Sequence, residues 1–335
     1  MKKYFLAILA LGLIATTPIA THAQTQGPIL DAEGEEIIAT FSIVARDPAT
    51  EELGIAVQSR AFRAAAIVSY AKAGVGAIAT QASANQSYGP EGLALLEEGL
   101  SPEEVVRRLT EADPGRDRRQ LGIIDAQGRV AAHTGSGTSD WAGDVQGENY
   151  SAQGNILAGE AVVREMARAF EETEGVLAER LMAALDAGEA AGGDARGKQS
   201  GGILIVKPIG DSGRTTDRWV DVRVDDHATP FLEIRRLMNM QVSRNQAGLA
   251  RDHAEAGRME EAVRAQRKAV ALAPEQAQYL FGLSELYARA GDRGQALATL
   301  SLAIDRNLQW AERALASEAF ADLRSDGEFR RLVGR

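Results

Sequence analysis

Along the first two thirds of the chain, short apolar runs bounded by turn residues alternate with longer stretches of helical spacing. Ile37–Ala45, Leu53–Ser59, Ala65–Ala71 and Val75–Thr80 are rich in Ile, Val and Ala, and Gly, Asp and Pro separate some of them, which predicts strands. Two helical stretches follow, Pro90–Glu98 and Pro102–Glu111; Ser101 with Glu104 three residues on forms a capping box ahead of the second. Strands return at Gln120–Asp125 and Val130–His133, joined by a turn at Ala126-Gln127-Gly128-Arg129. Ile156–Thr173 and Val176–Ala187 have helical spacing, Ile203–Val206 and Trp219–Val224 read as the last strands, and a helix from Pro230 to about Met240 leads out. Helices inserted in pairs between blocks of antiparallel strands predict an α+β fold, with two sheets and a helical layer outside each.

The last 94 residues carry no strand pattern and repeat internally. Leu249, Gly257, Ala262, Ala269 and Pro274 recur 34 residues later as Leu283, Gly291, Ala296, Ala303 and Leu308. That period is the one of tetratricopeptide repeats, in which small Ala side chains let paired helices approach closely. Tyr287 takes the aromatic position of the second copy and His253 replaces it in the first. Residues 242–335 are therefore expected to be an all-α, tetratricopeptide-like module that binds an unknown protein partner.

The N-terminus changes the picture of location. Lys2 and Lys3 precede an apolar run, Phe5–Ala15, and Thr21-His22-Ala23 is a cleavage-site pattern. The run is too short for a transmembrane helix, so residues 1–23 read as a secretory signal and the protein as periplasmic or secreted, with no membrane attachment after cleavage. Residues 24–38 are left as a linker or propeptide.

Composition narrows the chemistry. The 335 residues contain no cysteine and four histidines, which excludes zinc fingers, thiol catalysis and iron–sulfur clusters; no metal or other cofactor is expected. The 47 acidic and 37 basic residues give a net charge of −10, and the acidity lies before residue 242, so nucleic acid is a poor partner. Three apparent motifs fail on context. Gly192–Lys198 has P-loop spacing, but Gln199 stands where the magnesium-binding hydroxyl belongs. Gly74-Val75-Gly76 lies in a strand that continues instead of opening a helix. Ser69–Lys72 spells S-x-x-K, yet Ser69 does not open a helix and Ser139-Asp140-Trp141 is only an approximate S-D-N.

Eight segments point the same way: ATFSIVA at 39–45, GIAVQS at 54–59, AGVGAIATQ at 73–81, YGPEGLALL at 88–96, QLGIIDAQGR at 120–129, QGN at 153–155, AGGDARGKQS at 191–200 and VDVRVDDH at 220–227. Together, over 39–241, they resemble the bacterial family called domain of unknown function 1028. The resemblance implies an αββα four-layer sandwich of the N-terminal-nucleophile (Ntn) hydrolase type, and through that fold an amide-bond hydrolase.

In such enzymes the first residue supplies both the nucleophile and, as its free α-amine, the base. An α-amine titrates near pH 8, so no histidine is needed. Thr40 is the candidate nucleophile, exposed only if the Ala39–Thr40 bond is cut; a β-branched strand residue with no catalytic role is the alternative. Gln81 and Asn85 are candidate oxyanion donors. Lys72 is a candidate positive charge near the amine, and His133, Asp194, Arg196 and Gln199 are candidate substrate-binding groups, Arg196 for a carboxylate. Gln58 departs from the Asp of proteasome-like relatives, and Asp226 is expected to cap the helix that follows it. A small amide or peptide is the expected substrate, and a homo-oligomer is left open. The competing class is a non-catalytic periplasmic binding or scaffold protein on the same sandwich.

Overall fold

The computed structural model describes residues 37–38, 40–138, 141–209 and 215–334. The expected signal segment, Ala39 and Ser139-Asp140 lie outside the described residues. The chain opens with β1 (Ile37–Ile38), β2 (Thr40–Asp47) and β3 (Glu52–Ser59), then a short helix α1 (Ala64–Val68), β4 (Ser69–Lys72) and β5 (Gly76–Ser83). The helix pair α2 (Tyr88–Glu97) and α3 (Pro102–Ala112) leads to β6 (Arg119–Asp125) and β7 (Val130–Thr134). Strands β8 (Trp141–Gly147) and β9 (Tyr150–Leu157) precede a second pair, α4 (Ala161–Glu172) and α5 (Leu177–Ala190), and then β10 (Ser200–Val206) and β11 (Arg218–Val224).

These strands form two antiparallel sheets. One has six strands in the order β11-β10-β3-β2-β9-β8; the other runs β1-β5-β6-β7, with β4 sharing the outer edge of β5 with β1. Val44, Leu53, Ile55 and Val57 meet Ala77, Ala79 and Ile124 of the facing sheet in a buried apolar layer. Outside the six-stranded sheet, Phe41, Ile43 and Ala56 pack under Met166, Phe170, Leu181 and Leu185 of α4 and α5. Gly54 makes that packing close: a Cβ there would lie 2.7 Å from Leu181 Cδ1. Outside the other sheet, Ile78, Leu121 and Ile123 pack under Tyr88, Leu96, Val105 and Leu109 of α2 and α3. Ser101 Oγ accepts the Glu104 N–H and starts α3 where the capping pattern placed it.

A helical region completes the chain: α6 (Pro230–Glu255), α7 (Met259–Leu272), α8 (Ala277–Arg289), α9 (Arg293–Arg306), α10 (Gln309–Ala316) and α11 (Gly327–Val333). Gly257 and Gly291 both take a positive φ, of 75° and 78°, where a helix must stop and turn. No helix among the described residues is long and apolar enough to cross a membrane.

Four expectations change. The segment expected as the strand Ala65–Ala71 is helical to Val68. The three alanines favour a helix, and their small side chains let it fit between the sheets, where Ser200 Oγ accepts the Ala64 N–H. Strands β8 and β9 were not expected at all, and β9 takes Ile156 and Leu157 from the predicted helix, which starts at Ala161 instead. The helix expected to end near Met240 continues to Glu255, because its apolar face passes from the six-stranded sheet, through Ile234, Met238 and Val242, to the helices beyond, through Ala250 and Ala254. Asp226 caps nothing: it accepts a hydrogen bond from Gln199 Nε2, while α6 begins at Pro230, which has no N–H to satisfy.

Candidate functional site

At one end of the space between the sheets the apolar layer gives way to buried polar side chains. In the six-stranded sheet, Thr40 pairs with Ser59, and Ser59 with Ser200; one row deeper, Ser42 pairs with Gln153. On the facing sheet Gln81 pairs with Gln120, and Gln120 with Thr134. Period-two alternation aims each of these side chains inward. Thr40, Ser42, Ser59, Gln81, Gln120, Gln153 and Ser200 are fully buried and Asn155 nearly so. At Gly122 a Cβ would overlap the Gln153 amide, so any larger residue there would push that amide aside.

The hydrogen bonds run in one direction through this layer. Gly154 O can only accept, so the Gln120 atom 2.8 Å away is its Nε2, and Gln120 Oε1 must face the other way. That oxygen accepts from Gln81 Nε2 at 2.8 Å and from Asn155 Nδ2 at 3.0 Å. Gln81 Nε2 also reaches the Thr40 carbonyl at 3.3 Å. Gln81 Oε1 accepts from Ser42 Oγ at 2.6 Å, Ser42 Oγ accepts from Gln153 Nε2 at 2.7 Å, and Gln153 Oε1 accepts from Ser151 Oγ at 3.0 Å. The network thus ties the first residue of β2 to both sheets.

Two strained residues flank it. Ala82, directly after Gln81, has φ 66°, and Ile156, directly after Asn155, has φ 51°. A β-branched residue in the left-handed region is a genuine outlier, costing of order 1–3 kcal/mol. The Ile156 kink turns the end of β9 onto the loop before β10: its carbonyl accepts the Ala195 N–H at 3.0 Å. In that loop Asp194 is fully enclosed. It accepts the Arg60 N–H at 3.0 Å, the Arg196 N–H at 2.9 Å, and both Nε and Nη2 of the Arg196 side chain. Gln199 bridges Arg60 and Asp226. Asp194, Arg196 and Gln199 therefore come together as a brace around the strand ends beside Thr40, and the Arg196 fork is engaged by Asp194.

Other candidates lie elsewhere. Asn85 donates to Asp113 Oδ2, which also accepts from Tyr88 at 2.9 Å and Arg119 Nε at 3.0 Å, while Arg119 Nη1 donates to Ser83 O at 2.6 Å. Burial pushes the Asp113 carboxyl up, but hydrogen bonds from Arg119, the Gly115 N–H, Tyr88 and Asn85 outweigh it and hold it at about 2. Burial, reinforced by Asp113, pushes the Tyr88 phenol up. Lys72 is exposed on the edge strand β4, 2.5 Å from Glu97. His133 alternates with Thr134 and so points away from the inter-sheet space; its Nε2 donates to Arg116 O at 3.0 Å. Gln58, opposite Phe41, faces the helices, and neither atom of its buried side-chain amide has a hydrogen-bond partner.

The sequence pattern does not single out Ser42, Gln120, Thr134, Gln153 or Asn155. The usable signal was a pair of strands whose alternate residues are polar on the inward side.

Residues 40–234 match the family model described as "Family of unknown function (DUF1028)". The crystal structure of protein SPO2555 from Silicibacter pomeroyi, whose description carries the same family model, is similar at 33% identity; the match covers 60% of this chain and 85% of that one, with a TM-score of 0.56. No match is found among curated proteins.

Proposed function

The chain belongs to the DUF1028 family of unknown function, and from that premise we propose that it is an exported amide-bond hydrolase of the N-terminal-nucleophile type. Two sheets face to face, with α4 and α5 outside one and α2 and α3 outside the other, support the αββα sandwich of such enzymes. The observation that carries the proposal is the place of Thr40. It is the first residue of a central strand, it sits at the polar end of the inter-sheet space, and Gln81 holds its carbonyl. Ile38 pairs in one sheet and Thr40 in the other, and the proposed cut falls between these two residues.

In the maturation step the Thr40 hydroxyl oxygen attacks the Ala39 carbonyl carbon. The Thr40 nitrogen leaves as an amine, taking the hydroxyl proton, and an Ala39 ester on Thr40 Oγ remains. Water hydrolyses that ester to an Ala39 carboxylate and a free hydroxyl. In each later turnover the α-amine takes the hydroxyl proton as Oγ attacks a substrate amide and returns it to the leaving nitrogen; water then releases the acyl group. Uncharged Ser, Thr, Asn and Gln side chains at the site favour a neutral amide at the reacting centre.

We propose that the C-terminal helices are tetratricopeptide-like and recruit a protein partner. The matching turns at Gly257 and Gly291 support this, as does a concavity of about 860 Å³ lined in part by Arg244, Arg251, Gln266, Tyr279 and Arg289. The complete burial of Thr40 favours a second reading, a binding protein that is never cut. N-terminal sequencing of the exported protein decides between them: a start at Thr40 supports the hydrolase, and a start at Gln24 supports the binder.

A further inference from the structure

One atom of the polar network has no partner among the described residues. Asn155 is 1% exposed, and its Oδ1 is buried without a hydrogen bond. The orientation of that amide is forced: Gln120 Oε1 is an acceptor, because Gln120 Nε2 is spent on the Gly154 carbonyl, so the Asn155 atom facing it at 3.0 Å is the nitrogen. Turning the amide over would set two acceptors against each other and orphan two atoms instead of one. The oxygen therefore faces away from Gln120, and leaving it unpaired costs about 1–3 kcal/mol.

The ladder says what lies beside it. Phe41 pairs with Gly154, so the next step outward sets Asn155 next to Thr40. Thr40 and Asn155 also share a neighbour, since Gln81 Nε2 donates both to the Thr40 carbonyl and to the Gln120 oxygen that receives Asn155. Strain at Ile156 immediately follows Asn155 and holds the end of β9 against the Asp194 loop. An orphan acceptor thus belongs to the residue beside Thr40 on the neighbouring strand, and the Thr40 backbone nitrogen gains donors on cleavage. As a peptide that nitrogen has one N–H; as an ammonium it has three.

We infer that Asn155 Oδ1 is the acceptor that holds the α-ammonium group of Thr40 after the Ala39–Thr40 bond is cut. The inference rests on the proposed maturation. It makes Asn155 a positioning residue that aims the base at the Thr40 hydroxyl. Because its nitrogen is engaged by Gln120, Asn155 does not serve as an oxyanion donor. An acceptor on the ammonium favours the charged form, and a carboxylate in its place favours it more.

The test is an NMR titration of the full-length exported protein carrying ¹³C- and ¹⁵N-labelled Thr and Asn. In the wild type, the Thr40 Cα and the Asn155 Cγ resonances should move with one common midpoint. That midpoint should fall in Asn155→Leu and rise by about a pH unit or more in Asn155→Asp. An Asn155 Cγ that ignores the amine titration in the wild type, or an amine that titrates alike in all three proteins, overturns the inference and leaves the maturation standing; a buried water then fills Oδ1. A chain that starts at Gln24 has no Thr40 amine and overturns both together. The wild-type measurement alone is decisive if the variants do not fold.

Discussion

At Thr40 the buried methyl and hydroxyl contribute little to the fold relative to what the proposed chemistry asks of the hydroxyl. Thr40→Ala should abolish cleavage at Ala39–Thr40 while lowering stability by only about 1–2 kcal/mol, and Thr40→Ser should still be cut, more slowly, since the hydroxyl stays while the methyl that fixes its rotamer goes. Intact-mass measurement of the purified chains, with urea unfolding as the control for folding, checks both. Gln58 poses the opposite case. Its amide is buried against the helices with neither atom paired, so Gln58→Leu, similar in size, should stabilise the protein by about 1–3 kcal/mol. An unchanged or lower urea midpoint would mean that the amide is satisfied by an enclosed water.

Between elements, the clamp of Asp113, Arg119 and Ser83 O joins the end of α3 to the ends of β5 and β6, beside the strained Ala82. Asp113 and Arg119 side chains are 12% and 8% exposed, so removing the carboxylate takes the counter-charge from a nearly buried guanidinium, and Asp113→Ala should cost about 3–5 kcal/mol. The acid dependence has a definite sign. The folded carboxyl sits at about 2, below its ordinary 3.8, so its contribution is complete above about pH 4 and is lost as the pH falls toward 2. Urea unfolding between pH 5 and pH 2 should show that part of the acid destabilisation in the wild type, and Asp113→Ala should lack it.

For the molecule as a whole, α6 decides where the chain can be divided. Its first half belongs to the six-stranded sheet through Ile234, Met238 and Val242, and Asn245 Nδ2 donates to Trp219 O at 2.5 Å. On α7, Lys268 reaches Glu179 of α5 at 2.6 Å. A chain ending at 241 loses Val242 and should unfold at lower urea than one ending at 255, which keeps the sheet-facing half of α6. Since the hydrogen bonds described around Thr40 run among the strands of the two sheets, the chain ending at 255 should still be cut at Thr40, as judged by its mass.

Much of the frame was legible in the linear pattern, because burial there is apolar and follows a local period. The runs at 53–59, 120–125 and 203–206 alternate or stay apolar and are strands; Ser101 and Glu104 mark a helix start that the structure keeps; and the eight segments that resemble DUF1028 identify the family that matches residues 40–234. What stayed hidden is polar or nonlocal. Ser151, Gln153 and Asn155 fall in no predicted strand because a buried strand is expected to be apolar, and only hydrogen-bond partners within the sheet and across from it make their burial affordable. Ala64–Val68 takes a helix because of the space left between the sheets, and Asn85 and His133, near Gln81 and Thr134 in sequence, turn away from the site. One residue along a strand reverses the face on which a side chain lies, so the composition of the site was decided by register, which forms only when the sheets do.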